Sequence, residues 1–403
     1  MSGTATTGSV TSALRDAKLR APSPLFDRPS APRGVLSSQQ GFLRALGGLC
    51  IVLLAVLPFI DASRYTMSIA TSALIYVMLC MGLNVVVGYA GLLDLGYIAF
   101  FAVGAYVSGI LTTVVGLPMW MALPATILCC MVAGIIIGAP TLRLRSDYLA
   151  IVTLGFGEII RITANNLKIT GGPSGIHGIP TWSFGGWSFA DGLTIGGLVF
   201  PQRVLFYYFV AAIVVLVGVI GAGRLAKGKM GRAWKAVRDD EDAAEAMGIN
   251  TYLAKISAYI IGAVWAGVAG QLMATHLSAI SPNSFQFLYS ALILMAVVLG
   301  GMGSTPGVII GALFVSLAPE LLRDFSEWRF LIFGLLLVVV MLFRPAGLWP
   351  STAILPWLKK RRPVPPPTQG FLSPVPVPVP VPVDEDETSL EAEDAKAEEG
   401  ETR

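Results

Sequence analysis

Residues 223–253 read GRLAKGKMGRAWKAVRDDEDAAEAMGINTYL, a stretch dense in charges of both signs. A long apolar run precedes it (residues 204–222) and another follows it (residues 252–275). Charges in water cost nothing, but buried unpaired in hydrocarbon they are expensive. The stretch therefore reads as a water-facing loop between two membrane spans, which makes the chain a polytopic membrane protein. A loop this polar on an otherwise apolar protein also points to a partner docked on its face.

Composition agrees. Of 403 residues, 54% are hydrophobic and 13% charged, a balance that sets aside a string of soluble domains. Crossing ~30 Å of hydrocarbon takes roughly 20 apolar residues. Candidate runs recur at 42–60, 67–88, 91–115, 119–139, 148–164, 204–222, 252–275, 284–300, 306–318 and 330–343. Since every backbone polar group must be paired within the bilayer, the expected fold class is all-α, a bundle of about ten transmembrane helices.

Orientation follows from counting Lys and Arg near the membrane ends. With both termini cytoplasmic, the inner side receives Arg143 and Arg145, then Arg224, Lys227, Lys229, Arg232, Lys235 and Arg238, then Lys359 to Arg362. The outer side receives only Arg64, Lys168, Arg203, Arg323 and Arg329. This places residues 223–253 in the cytoplasm.

The termini differ from the middle. Residues 1–41 are polar and rich in Pro and Ser, unlike a signal peptide, and are expected to be a disordered cytoplasmic tail. Residues 363–403 hold a Val-Pro repeat and an acidic run, expected to be a disordered spacer and tail around a permease domain of residues 42–350. With ten acids against Lys396 and Arg403 in that run, a chain of net charge +3 is strongly basic elsewhere, which suits contact with anionic membrane lipid. Nothing suggests nucleic acid. Cys50, Cys80, Cys129 and Cys130 lie in apolar runs without metal-ligand spacing, and His177 and His276 stand alone, so no metal site is expected.

Several residues in the apolar runs invite two readings. Gly303, Gly307 and Gly311, and the pairs Ala263 with Gly267 and Ala266 with Gly270, have the small-x-x-x-small spacing that lets membrane helices approach closely. Asp94 stands among Gly88, Gly91 and Gly96. It either marks a broken, re-entrant backbone near the solute path or caps a helix at an interface. Glu158 and Arg161 are three apart, so on a helix they either neutralise one another or line the path of a zwitterionic solute. Residues 169–180, ITGGPSGIHGIP, read as an external loop. Residues 223–229 match G-x-x-x-x-G-K, but Met230 replaces the magnesium-binding Ser or Thr and no strand precedes, so nucleotide binding is not expected. No catalytic set is visible, and the chain is not expected to be an enzyme.

Asp242, Ala243, Ala244 and Gly248 spell D-A-A-x-x-x-G, which resembles the E-A-A-x-x-x-G loop by which bacterial ABC importer permeases engage cytoplasmic ATPases. Three further blocks extend the likeness: residues 88–106, GYAGLLDLGYIAFFAVGAY; residues 141–162, TLRLRSDYLAIVTLGFGEIIRI, with ITGGPSGI; and residues 231–249, with VVLGGMGSTPGVIIGA and FRPAGL after them. Together they resemble the LivM-type permease subunit of bacterial branched-chain amino acid ABC importers, over about residues 84–350. The resemblance implies a multi-pass inner-membrane subunit paired with a LivH-type permease, with two cytoplasmic ABC ATPases below and a periplasmic binding protein above. It implies ATP used by the partners, no cofactor on this chain, and alternating access driven through a cytoplasmic coupling helix in residues 223–251. Arg232, Trp234, Arg238, Asp242, Ala243, Ala244 and Gly248 are the expected ATPase-docking residues. Trp234 would anchor in a partner pocket, Ala243 and Ala244 would allow close approach, and Gly248 would end the helix. Asp94, Glu158 and Arg161 are candidates for the translocation path. Asp242 in place of Glu keeps the charge and shortens the reach. The rival readings are a urea or short-amide permease of the same superfamily, and a stand-alone secondary carrier for which the loop would have no purpose.

Overall fold

A computed structural model describes residues 63–142, 146–184, 187–188, 193–195, 198–200 and 202–321, with scattered residues between 328 and 349. The expected first membrane run and both tails lie outside the described residues, as do Arg143, Arg145 and most of the expected tenth run.

The chain enters at helix α1 (Arg64–Leu83), where the Ser63 hydroxyl accepts from the Thr66 amide at 3.2 Å and satisfies one free N–H of the first turn. Helix α2 (Ile98–Thr113), α3 (Met119–Thr141) and α4 (Ser146–Asn166) follow, then α5 (Gln202–Lys227). Beyond the charged stretch come α8 (Thr251–Leu277), α9 (Phe287–Gly300) and α10 (Thr305–Leu321); two short helices between α5 and α8 are taken up below. Among the described residues, the spans Arg64–Tyr89, Met119–Thr141, Arg203–Lys227 and Thr251–Leu277 are long and apolar enough to cross a membrane, and three further apolar helices are shorter.

Helices α1 and α8 form the middle of the bundle. Of their apolar windows, 78% and 56% are buried inside the protein, against 33% for α3 and 28% for α5. Helix α8 packs on α1, α2 and α3, while α1 also packs on α5 and α10. The small residues explain how. Ala263, Ala266 and Gly270 of α8 face inward, and Gly104 of α2 lies directly against the Gly267 backbone, an approach that a Cβ on Gly104 would prevent, while a Cβ on Gly267 would collide with Cys130 of α3. The spacing at Gly303 misled: Gly303 sits in the turn before α10 at φ +82°, and only Gly307 and Gly311 are on the helix, packed against Gly300 and Ala296.

Two further expectations need correction. Residues 91–115 are not one helix: α2 begins only at Ile98. The chain leaves α1 through a π-helical turn (Asn84–Tyr89), and residues 90–97 run without regular structure. Nor is the chain wholly α-helical. Strand β1 (Ile176–His177) pairs antiparallel with β6 (Ala279–Ile280) and ties the glycine-rich loop to the end of α8. Strands β2 (Ser183–Phe184) and β3 (Trp187–Ser188), and β4 (Leu193–Ile195) and β5 (Leu198–Phe200), make two short hairpins in the interval before α5. Short runs between Gly and Pro are too brief for a helix nucleus but long enough for a two-residue pairing.

The charged stretch and its hold on the bundle

Residues 223–253 take in the end of α5, two short helices and the start of α8. Helix α5 ends with Arg224 and Lys227 in its last turn, where cations are favoured near the free carbonyls. After Gly228 comes α6 (Lys229–Asp239), then Asp240, then α7 (Glu241–Ala246). Because Gly223 lies inside α5 and Lys229 opens α6, the P-loop-like stretch is helix, turn and helix.

Helix α6 turns its apolar stripe inward. Gly231, Trp234 and Val237, three apart, are buried, and Trp234 is 0% exposed, with its Nε1–H donating to Ser257 Oγ of α8 at 3.0 Å. Trp234, expected to anchor in a partner pocket, instead fills this chain's own core with its indole. Arg238 likewise reaches back, donating to the carbonyl of Gly88 at the end of the π turn. Gly91, at φ +74°, makes room for it, since a Cβ there would lie 2.7 Å from Arg238 Cγ. Beside it, Lys235 Nζ stands 6.0 Å from the Tyr89 ring centroid, and the Tyr89 hydroxyl bonds Thr305 Oγ1 at 2.9 Å. Asn84 Oδ1 accepts from the Gly303 amide at 2.8 Å. One face of α6 is thus tied to the π turn, whose own residues hold the start of α10.

Helix α7 is capped at both ends. The Asp240 carboxylate accepts from the Ala243 amide at 2.9 Å. At the other end Gly248 takes φ +83°, its amide bonds Glu245 O at 2.8 Å, and the Ile249 amide bonds Ala244 O at 3.1 Å. That pair of bonds is a Schellman close, so Gly248 ends the short helix as its spacing suggested. Glu241 forms an ion pair with the mostly buried Lys255 of α8, holding α7 down. Ala244 faces the bundle at 4% exposure, which corrects its expected place against a partner. Asp242, Ala243 and Gly248 face outward, as does Arg232 of α6, which bonds Lys227 O at 2.9 Å. Sequence reasoning passed over Met247, which is 83% exposed at the tip between α7 and Gly248. A methionine just before a left-handed glycine, off the inward stripe, was the available signal.

The path candidates lie elsewhere, and the structure does not bring them together with the loop residues. Asp94 is completely enclosed. Its Oδ1 accepts from the Gly96 amide at 2.8 Å, Thr153 Oγ1 accepts from the Leu95 amide at 3.2 Å, and Ser290 Oγ donates to Leu95 O at 2.6 Å. Asp94 thus makes a tight turn that interrupts the helix before α2, and the Leu95 amide and carbonyl exposed there are paired to α4 and α9. Glu158 and Arg161 form an ion pair on α4, with 43% of the glutamate side chain and 25% of the arginine side chain exposed.

A family model described as the permease component of the branched-chain amino acid transport system matches residues 65–343. The chain is 45% identical over 331 residues to the high-affinity branched-chain amino acid transport system permease protein LivM of Escherichia coli K12, covering 79% of this chain and 77% of that protein. It is 43% identical over 352 residues to LivM of Salmonella typhimurium, covering 82% of each. A shorter match, 35% over 122 residues and 30% of this chain, is to the permease protein LivH of Escherichia coli K12. No solved structure matches the chain. With the family model spanning most of a bundle of apolar, membrane-competent helices, the chain belongs to the family of permease components of branched-chain amino acid transport systems.

Proposed function

We propose that this chain is the membrane permease subunit of an ATP-driven importer that carries branched-chain amino acids across the bacterial inner membrane. The observation that carries this reading is the identity with LivM proteins over about four fifths of the chain. In the proposed assembly a LivH-type permease is its partner in the membrane, two ABC ATPases dock from the cytoplasm and a periplasmic binding protein delivers the solute. The chain itself binds no cofactor and catalyses no reaction. Residues 42–350 make up the permease, with about ten membrane crossings, both termini cytoplasmic and residues 1–41 and 363–403 as tails outside it.

In this reading α7 is the coupling helix and α6 its lever. The outward residues Asp242, Ala243, Met247 and Gly248, with Arg232 beside them, meet the ATPase. Trp234, Ala244 and Arg238 hold the lever to the bundle. Movement of α7 reaches the π turn and the broken segment around Asp94 through the Arg238 bond to Gly88. Asp94 then acts as a hinge element of the path. Deleting the gene and measuring uptake of radiolabelled leucine and urea tests the assignment: leucine uptake is expected to fall and urea uptake to stay, and the reverse would move the chain to the amide permeases.

The lever makes its own prediction. Arg238→Met should lower leucine uptake about fivefold, the equivalent of ~1 kcal/mol for a partly exposed charged donor, while the ATPases still co-purify. Arg238→Lys keeps a donor for the Gly88 carbonyl and should recover part of the uptake. Equal uptake by the wild type and Arg238→Met would remove Arg238 from the transmission route.

A further inference from the structure

We propose that the open face of α4 is the surface on which the partner permease packs, an inference that rests on the two-permease reading above. Helix α4 is 21 residues long, yet among the described residues it is not one of the long helices whose composition suits a membrane span. Its inner side is well covered: Leu149 and Thr153 are each 1% exposed, and Thr153 holds the broken segment through Leu95. Its outer side is a single stripe. Ile151 is 66% exposed, Ile159 57% and Ile162 47%, and between them lie Gly155 and the partly exposed Glu158 and Arg161 pair.

Lipid does not suit that stripe. Ionisable groups at membrane depth face protein or water, even when paired. The open face of α5 gives the contrast: Ile213, Leu216, Val217 and Ile220 are exposed there with no charge among them, as a lipid-facing surface requires. At Gly155 a Cβ would meet nothing within 4 Å among the described residues, so its absence serves no contact with them. A glycine notch between isoleucines is instead what lets a helix from another subunit approach closely, and the Glu158 and Arg161 pair offers that helix polar partners across the seam. The occupant is a second permease of the same family. The partial likeness of this chain to a LivH-type permease means that the two subunits are built on related sequences, and pairs of related chains pack about an approximate two-fold axis.

A photo-activatable benzophenone amino acid placed at Ile151 or Ile159, in cells producing the whole importer, tests this against the same probe at Ile213 or Val217. Adducts with the partner permease are expected from the α4 positions and not from α5. Adducts from α5 alone, adducts of the chain with its own copy, or none from α4 would overturn the proposal. Gly155→Leu should cut co-purification of the partner permease roughly tenfold by filling the notch, while the chain's own membrane level stays, because among the described residues no atom lies within 4 Å of the added side chain's first carbon. Unchanged co-purification would count against the seam. If the wild-type chain captures no partner permease at all, the two-permease reading itself fails, an outcome separate from adducts that form elsewhere.

Discussion

Ala243→Arg should abolish co-purification of the ATPases and leucine uptake while leaving the chain's membrane level unchanged, whereas Ala244→Arg should remove the chain from the membrane altogether. The two residues are neighbours on a six-residue helix, but Ala243 is exposed and Ala244 is buried. Ala243 is exposed, so an arginine there stays hydrated until a partner docks. At the docked surface it would be desolvated without a counter-charge, and ~3 kcal/mol of such a penalty weakens association more than a hundredfold. Ala244 is 4% exposed within the core formed by α6, α7 and α8, so an arginine there buries its charge inside the subunit itself. Quantitative immunoblots of membranes, read beside pull-down of the ATPases, separate the two outcomes. If Ala244→Arg accumulates normally and loses only the ATPases, the inward orientation of Ala244 is wrong.

Trp234→Ala should destabilise the protein by about 3–5 kcal/mol, the usual cost of emptying a site filled by a large aromatic. The indole is fully buried, and its Nε1–H has a partner in Ser257. Truncation therefore leaves a cavity under α6 and frees the lever from α8. Trp234→Phe keeps most of the volume and loses the hydrogen bond, worth about 1 kcal/mol. Thermal unfolding of the detergent-purified protein should rank wild type above Trp234→Phe and Trp234→Phe above Trp234→Ala. If the alanine variant unfolds at the wild-type temperature, the indole is not the anchor that joins α6 to the bundle.

Local signals carried much of this architecture. Membrane-length apolar runs matched helices at α1 with its π turn, α3, α5 and α8, because such runs have few alternatives once every backbone group must be paired. The Schellman close at Gly248 was visible as a glycine after a short helical stretch. The inward phase of Trp234 was also there to be read, since Gly231, Trp234 and Val237 recur three apart beside a charged face, but interface habits of tryptophan pointed the other way. What local pattern does not carry is pairing across distance. Arg238 meets Gly88, 150 positions away, and the break before Ile98 is held by Thr153 of α4 and Ser290 of α9. Asp94 and the glycines around it were compatible with a broken backbone or with a helix cap at an interface, and the remote hydroxyls of Thr153 and Ser290 show where the helix is interrupted. The same holds at Gly303, whose helical spacing is indistinguishable from that of Gly307 until the turn before α10 is seen.

In the proposed assembly this chain moves solute with energy received through α7 from separate ATPases. Reconstitution in liposomes tests it most directly, with leucine accumulation and ATP hydrolysis measured for the chain alone and for the chain with the partner permease, the ATPases and the binding protein. The expected result is no ATP hydrolysis and no accumulation by the chain alone, both activities in the full assembly, and loss of accumulation when that assembly carries Ala243→Arg. Robust ATP turnover or leucine accumulation by the chain alone would contradict the account.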